Sequence, residues 1–591
     1  MRLSIRELPP APTHWPLFCA IVFVVGLVFT AIVPPFQAPD EFHHVQRAYL
    51  LSRGQVILKS HGNQPSGGEI DAALARYMDT FTPIMGKAAR KVSRDEILTA
   101  SEVRWSDKTV FATPTGTAYY FPALYLPEAL AMSFGRATGL TVGQSYKLAR
   151  LAALLTCVIL LSIAFYLYPP PIGVLAVLLL PMNLFLLSSA VLDGLATSTS
   201  ILTISAFLRL IGSIERAKNL ASCSLVISVA LVASCRANML PMLLLPFVAA
   251  FVLRDRRMLI AALIVALFVV TWTLFTINTT VYPPGPRGSD SSARLLFFLS
   301  DPIGLARILW NTLADPALRA FYLHSFIGVL GWLDAPLPEL LYPLIAALLF
   351  LIVIATTTLR SFSWLRGVML IVVASSALLT FLALLVQWTI GPATKVEGVQ
   401  GRYFVIPAMF LIYALTCDPT PRQTLRRRCA TALTCLLAVI SIYAATSTLV
   451  ARYHTAPQQA SVASGELQVA APLTAKQATQ LIFAPPIAAE HKITELRIRI
   501  GTYRMSHPGR AKLVVWMADG KTSEHLFELA SLEDNEYAAF RLKPGNYVGG
   551  RLESIDGEGV SVYQVSFGPA LVSCLTAVTE DGRTITTAGC P

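Results

Sequence analysis

Trp15-Pro-Leu-Phe-Cys-Ala-Ile-Val-Phe-Val-Val-Gly-Leu-Val-Phe-Thr-Ala-Ile-Val33, followed by Pro34-Pro-Phe-Gln-Ala-Pro-Asp40-Glu41-Phe-His43-His44, is the stretch on which the fold turns. An apolar run of this length matches the roughly 20 residues that carry a helix across a bilayer. Pro34 and Pro35 then stop it, because proline offers no backbone donor and pushes its predecessor into extended backbone. Arg2 and Arg6 precede the run, as they would in a signal peptide, but no A-x-A cleavage pattern follows. The stretch therefore reads as an uncleaved first transmembrane helix with a cytoplasmic N-terminus. Asp40 and Glu41 emerge on the far side, at the boundary between lipid and water.

The rest of the chain repeats the pattern. Its 591 residues are 54% hydrophobic and only 14% charged, with a mean hydropathy of +0.59, whereas soluble domains carry about 25% charge. Apolar segments are expected at 16–33, 147–168, 171–190, 195–212, 220–235, 239–253, 259–280, 338–358, 366–388, 402–417 and 429–449, eleven in all. The net charge of +12 does not indicate nucleic-acid binding, since the cations cluster in short loops. Arg209/Arg216/Lys218, Arg254/Arg256/Arg257, Arg360/Arg366 and Arg422/Arg426/Arg427/Arg428 fall in four of the five loops that alternation makes cytoplasmic. An odd number of spans leaves the C-terminus outside.

Three outer segments are long or polar: 34–146, 281–337 and 389–401. The first holds about 110 residues, far more than a connector needs. After Pro39 it reads as a helix with Asp40 near its start, and its end, Ala118 to Leu130, reads as an amphipathic interfacial helix. Residues 1–450 form the membrane core and 451–465 a linker. Residues 466–591 form an extracytoplasmic domain, with strand-like runs such as Leu496-Arg-Ile-Arg-Ile500 and Lys512-Leu-Val-Val-Trp516. Turn signals at Pro508-Gly509, Asp519-Gly520, Pro544-Gly545, Asp556-Gly557 and Asp581-Gly582 separate them, which predicts a β-sandwich. Of nine cysteines, Cys574 and Cys590 stand apart in this outward region, so a disulfide is expected between them. Trp516, Tyr503, Tyr537 and Tyr547 either stack on sugar rings or fill the sandwich core.

Asp40 and Glu41 are the leading candidates for catalysis. A partly desolvated carboxylate suits a general base. Asp40 lies i,i+3 from His43 and i,i+4 from His44, so these side chains share a helix face and could relay a proton or hold a divalent metal, Mg or Mn, through Asp40, Glu41 and His44. The competing reading makes Asp40 a helix N-cap with solvated neighbours. Arg402, with Tyr403 beside it, opens a span from the outside. Its guanidinium could pair bidentately with a phosphate at headgroup depth, or simply snorkel. Lys395 and Glu397 precede it in the same loop. Asp193 is either a costly carboxylate near membrane depth or part of a two-residue outer turn. Arg236 and Asn238 form a similar outer turn, and Asp334 lies in the second outer segment. No Walker A loop, strand-linked GxGxxG, GxSxG or CxxC occurs.

Several motifs together resemble the bacterial membrane-protein family of unknown function numbered 2142: Pro34 to His44, Tyr120-Phe-Pro-Ala-Leu-Tyr125, Arg150, Leu180-Pro-Met182 with Asp193-Gly194, Phe326 to Asp334 and Gly398 to Phe404. The resemblance covers about residues 15–450. The chain departs from it at Phe42-His43, where the family pattern has a small residue or proline. That family is similar in layout to GT-C-type glycosyltransferases. The resemblance implies an acidic pair in the first outer loop, on Asp40 and Glu41, and a cation near a lipid phosphate, on Arg402; Arg236 is a second candidate cation for that phosphate. His43, His44, Asp193, Asp334 and Tyr403 are further candidates for substrate contacts. The implied function is transfer of a sugar from a polyprenyl-phosphate carrier to a glycan, lipid-linked or protein acceptor during cell-envelope polysaccharide biosynthesis at the inner membrane. The C-terminal domain would be an accessory domain of such cores. A flippase for lipid-linked sugars is the alternative; it calls for ionisable groups near the bilayer midplane, and the stretches 260–270 and 341–354 hold none. A non-catalytic envelope glycan-assembly or glycan-binding protein is the third reading.

Overall fold

The first helix runs Trp15–Ile32, opened by Pro16 and ended where Val33 turns extended before Pro34. Among the described residues it is one of seven helices long and apolar enough to cross a membrane; the others are Val142–Leu167, Leu192–Ile211, Lys218–Cys235, Arg256–Thr279, Trp364–Gln387 and Leu425–Tyr453. Three apolar helical stretches are shorter, Ala237–Leu253, Leu341–Thr356 and Gly401–Leu415. This computed structural model describes residues 14–62, 64–87, 91–92, 94–106, 108–212, 217–281, 291–357, 364–389, 393–416, 424–454, 467–474, 476–488, 492–503, 507–567 and 570–590. Most of the expected linker and the loop cations Arg216, Arg360 and Arg422 lie outside them.

The expected span 171–190 is two short buried helices, Ile172–Leu178 and Pro181–Leu187. Pro181 cannot donate to the turn before it and forces Leu180 into extended backbone (φ −59°, ψ 142°). The Asn183 amide then donates to Val177 O at 2.6 Å, satisfying one carbonyl freed by the break. Leu192–Ile211 is the hub, 94% buried. Its small residues Ser198, Thr199, Ser200 and Ser205 let neighbouring backbones approach, and Thr203 donates to Ser228 Oγ at 2.8 Å on the next span.

The long segment 34–146, expected to be outer, carries the helix Glu41–Ser52 and the antiparallel pair Gly68–Asp71 and Thr109–Ala112. It then runs through a 3-10 turn, Pro122–Tyr125, into the helix Leu126–Ala137. That last helix is amphipathic: Leu126, Leu130 and Phe134 are exposed on one stripe, while Ala129 and Met132 are buried. The second outer segment folds as Ser291–Ser300, Pro302–Ala314 and Pro316–Ile327, then a two-residue ladder of Val329–Leu330 with Ala335–Pro336.

The chain divides into two units, Met1–Thr455 and Ala456–Pro591. The second is built on antiparallel pairing within a seven-stranded and a four-stranded sheet. Leu496, Ile498 and Ile500 alternate inward from one sheet, and they share a core with Leu513, Val515 and Leu552 of the other. A disulfide joins Cys574 to Cys590 (Cα–Cα 5.6 Å). Tyr547 is buried in this core, Trp516 and Tyr537 are half-buried, and Tyr503 is exposed with its hydroxyl on Ser561.

Candidate functional site

The loop between the first span and the helix Glu41–Ser52 is gripped at several backbone groups. Arg150 Nη1 donates to Val33 O at 3.0 Å, and Phe36 N donates to the Tyr146 hydroxyl at 3.1 Å. Trp332 Nε1 donates to Phe36 O at 2.9 Å, and Gln37 Nε2 reaches Pro35 O and Phe81 O. The Phe36 ring is buried among Tyr77, Phe81 and Tyr146. Under this grip Phe36 and Asp40 both adopt φ of 62°, the left-handed region that costs a non-glycine residue about 1–2 kcal/mol. Such strain persists where surrounding structure over-determines it, and it clusters at working sites.

The consequence for Asp40 is direct. It precedes the helix, yet its side chain makes no cap hydrogen bond. Its carboxylate, 49% exposed, instead accepts from Arg402 Nη2 at 3.1 Å, and the Arg402 side chain is 3% exposed. Glu41 points the other way and is fully buried. Its Oε1 accepts from the Tyr146 hydroxyl at 2.9 Å and from Ala190 N at 2.8 Å, with Arg150 Nε at 3.8 Å. Its Oε2 accepts from Ala38 N at 3.1 Å. The expected acidic pair is therefore split: Asp40 is half-exposed and turned to Arg402, and Glu41 is buried beneath the loop that carries Asp40.

Beside Asp40 the ends of three helices converge. Asp193 sits in the first turn of Leu192–Ile211, not in an isolated outer turn, and pairs with Arg236 Nη2 at 2.9 Å. Arg236 caps the end of Lys218–Cys235, and Asn238 in the following 3-10 turn is anchored on Thr380 at 2.9 Å. Arg402 lies in the 3-10 turn Gly401–Phe404, with its guanidinium 5.3 Å from the Tyr403 ring centroid. Asp193, Arg236, Asn238, Arg402 and Tyr403 line one small cavity. Arg236 Nε and Arg402 Nε and Nη1 are buried with no hydrogen-bond partner. Buried charged donors left open are costly. Two guanidiniums with three such donors line one small cavity, and in charge and donor chemistry they suit an anion whose oxygens accept in several directions, such as a phosphate.

His44 borders this cluster. It is buried, its Nδ1 lies 2.7 Å from the Tyr125 hydroxyl, and Asp193, Asp40, Arg236 and Arg402 all act on it electrostatically. Burial pushes its imidazole down to about 4 despite the two carboxylates, so it is neutral near pH 7. Burial also lowers His43, against the pull of Asp40 and Gln46. The ring of His43 lies against Phe42, which stacks on Trp332 at 5.6 Å.

Asp334 does not join the site. It accepts from Arg452 Nη2 at 2.6 Å and Nε at 3.1 Å, and from Trp332 N at 2.9 Å. Arg452 also donates to Ile84 O and Lys87 O, so this bridge ties the last span to both long outer segments. Lys395 pairs with Asp315 at 2.6 Å. The expected Asp40/Glu41/His44 ligand set does not fit a divalent cation, because Glu41 is filled by internal donors and His44 Nδ1 is taken by Tyr125. Among the described residues no group of three or more His, Cys, Asp or Glu side chains could hold a metal ion. Sequence reasoning missed Arg452 and the roles of Tyr125 and Trp332. Arg452 carried a signal, a cation in the last turn of an apolar helix, but nothing local pointed to its partner.

No curated protein matches the chain by sequence. Among solved structures it is similar to ArnT from Cupriavidus metallidurans bound to undecaprenyl phosphate (14% identity, 75% of this chain and 73% of that one, TM-score 0.30). It is likewise similar to the arabinosyltransferase EmbB from Mycobacterium smegmatis (13% identity, 97% and 66%, TM-score 0.30). The family model described as "predicted membrane protein (DUF2142)" matches residues 23–412. The chain belongs to that family of membrane proteins.

Proposed function

We propose that this protein is a membrane glycosyltransferase of GT-C type. It moves a sugar from a polyprenyl-phosphate carrier to a hydroxyl of a cell-envelope glycan, lipid-linked or protein acceptor. One observation carries the reading: the buried guanidiniums of Arg236 and Arg402, with open donors, line one cavity, and Arg402 is ion-paired with the half-exposed Asp40.

In this reading the donor phosphate enters between Arg236 and Arg402 and takes their open N–H groups. The acceptor hydroxyl oxygen attacks the anomeric carbon, the bond from that carbon to the phosphate oxygen breaks, and the hydroxyl proton passes to the Asp40 carboxylate. The electron pair of the broken bond stays on the phosphate, where the two arginines stabilise the growing charge. Glu41 acts through the backbone, holding Ala38 and the loop above it. His44, neutral, borders the phosphate site, and Tyr403 walls it. No step is routed through a metal.

The same reading places the protein in a bacterial inner membrane with eleven spans, the N-terminus inside, and Asp40 and a C-terminal β-sandwich outside. The broken pair at 171–190 counts as one crossing. The test is sugar transfer by the purified full chain in detergent, from a defined polyprenyl-phosphate sugar to an envelope-lipid or glycan extract. Donor binding without transfer, across a panel of donors and acceptors, would favour the flippase or binding-protein readings instead.

A further inference from the structure

Two helices of the second outer segment are apolar on both sides. Ser291–Ser300 and Pro302–Ala314 are joined at Asp301, whose carboxylate accepts from Gly304 N at 2.9 Å. One side of this hairpin, Phe298, Leu305, Ile308 and Leu309, packs with Phe381, Leu385, Val396 and Val399 in a satellite core. The other side is open: Leu296 is 67%, Phe297 68%, Ile303 73% and Trp310 71% exposed. At 10 and 13 residues neither helix can span a bilayer. A helix with apolar residues on both sides is not stable with one of them facing water.

The hairpin's anchorage says what covers it. Arg294 Nη2 donates to Leu385 O at 3.0 Å and to Thr389 O, closing the end of the candidate span Trp364–Gln387. The hairpin therefore sits where that span leaves the lipid. Its open face combines aliphatic residues with Trp310 and the exposed Arg307, the mixture that settles at headgroup level. Its inner edge holds the loop leading to Arg402. Val396 N donates to Thr312 Oγ1 at 2.8 Å, Asn311 Nδ2 to Thr394 O at 3.3 Å, and Lys395 pairs with Asp315.

We infer that the hairpin Ser291–Ala314 lies embedded in the leaflet on the Asp40–Arg402 side of the membrane, with Leu296, Phe297, Ile303 and Trp310 among acyl chains. Its depth then sets the height at which Arg402 meets an anion. The embedding does not depend on what that anion is. The test uses the full chain in nanodiscs of phosphatidylcholine, with and without bromine on the acyl chains. The Trp310 contribution is read as wild type minus Trp310→Phe, a substitution at an exposed ring that leaves the satellite core intact. At a depth of about 5–10 Å its emission should fall by about half or more in brominated lipid. Equal emission in the two lipids overturns the inference, whether the hairpin faces water or a second copy of the chain. An environment-sensitive dye on Ile303→Cys reports the same face independently; a water-like spectrum in nanodiscs also overturns it.

Discussion

Replacing Asp40 with asparagine should make the protein bind its donor more tightly and use it far more slowly. Asparagine tolerates the left-handed backbone that position 40 requires, so the loop survives; alanine at φ of 62° would mix strain with lost chemistry. In the resting protein Arg402 Nη2 is held by Asp40 at 3.1 Å, and an incoming phosphate competes with that carboxylate. Two unit charges at about 4 Å attract by roughly 4 kcal/mol at an effective dielectric of about 20. Asp40 is half-exposed, and exposed pairs deliver only about 0.2–1 kcal/mol. Taking about 1 kcal/mol, loss of the competing charge should strengthen donor binding about fivefold. Loss of the base should cut turnover by about 10²–10⁴-fold. Arg402→Lys should do the reverse to binding, weakening it, because the planar fork that serves carboxylate and phosphate together is gone. The assay is paired: donor affinity by titration calorimetry and transfer by radiolabelled sugar, in one detergent, for all three proteins. Transfer by Asp40→Asn at the wild-type rate would remove Asp40 as the base. Donor binding unchanged by Arg402→Lys would remove the phosphate site.

Glu41→Gln should damage the fold rather than the chemistry. It leaves Arg150 buried without its counter-charge, a loss of about 3–5 kcal/mol that thermal unfolding in detergent would register; unchanged unfolding with lost transfer would return Glu41 to the reaction. His44 is pushed down to about 4 in the fold but titrates near 6.5 when unfolded. The unfolded chain therefore binds the extra proton first, and stability falls as pH drops from about 6.5 towards 4, by up to about 1.4 kcal/mol per unit. His44→Gln should flatten that part of the pH–stability curve, and an unaltered curve would refute the assignment. EDTA should leave transfer intact, since Glu41 is closed to a cation; activity lost to chelation and restored by Mg would contradict this. Cys574→Ser with Cys590→Ser should lower the stability of the C-terminal unit by about 3 kcal/mol at most, measured by denaturant unfolding.

What the sequence determined by itself follows from local physics. Apolar runs of bilayer length and prolines at their ends are one-dimensional signals, so the first span, its stop at Pro34 and the position of Asp40 just beyond it were legible. The change beyond about Ala451 from apolar runs to alternating strands was equally local. Pro181 could have been read as a break within 171–190, but the run's hydrophobicity outweighed it. Pairings across the chain left no such trace. Asp40 meets Arg402 across 362 positions, and Arg452 meets Asp334 across 118. Asp193 and Arg236 were each legible as outer charges, but not as partners. Glu41 shares a boundary and a charge with Asp40, and only the tertiary structure separates them. Successive residues at a helix start point in different directions, and Tyr146, Ala190 and Ala38 had already supplied the donors that turn Glu41 inward. Periodicity records which face of an element is apolar; which charge finds which partner is decided when the elements pack.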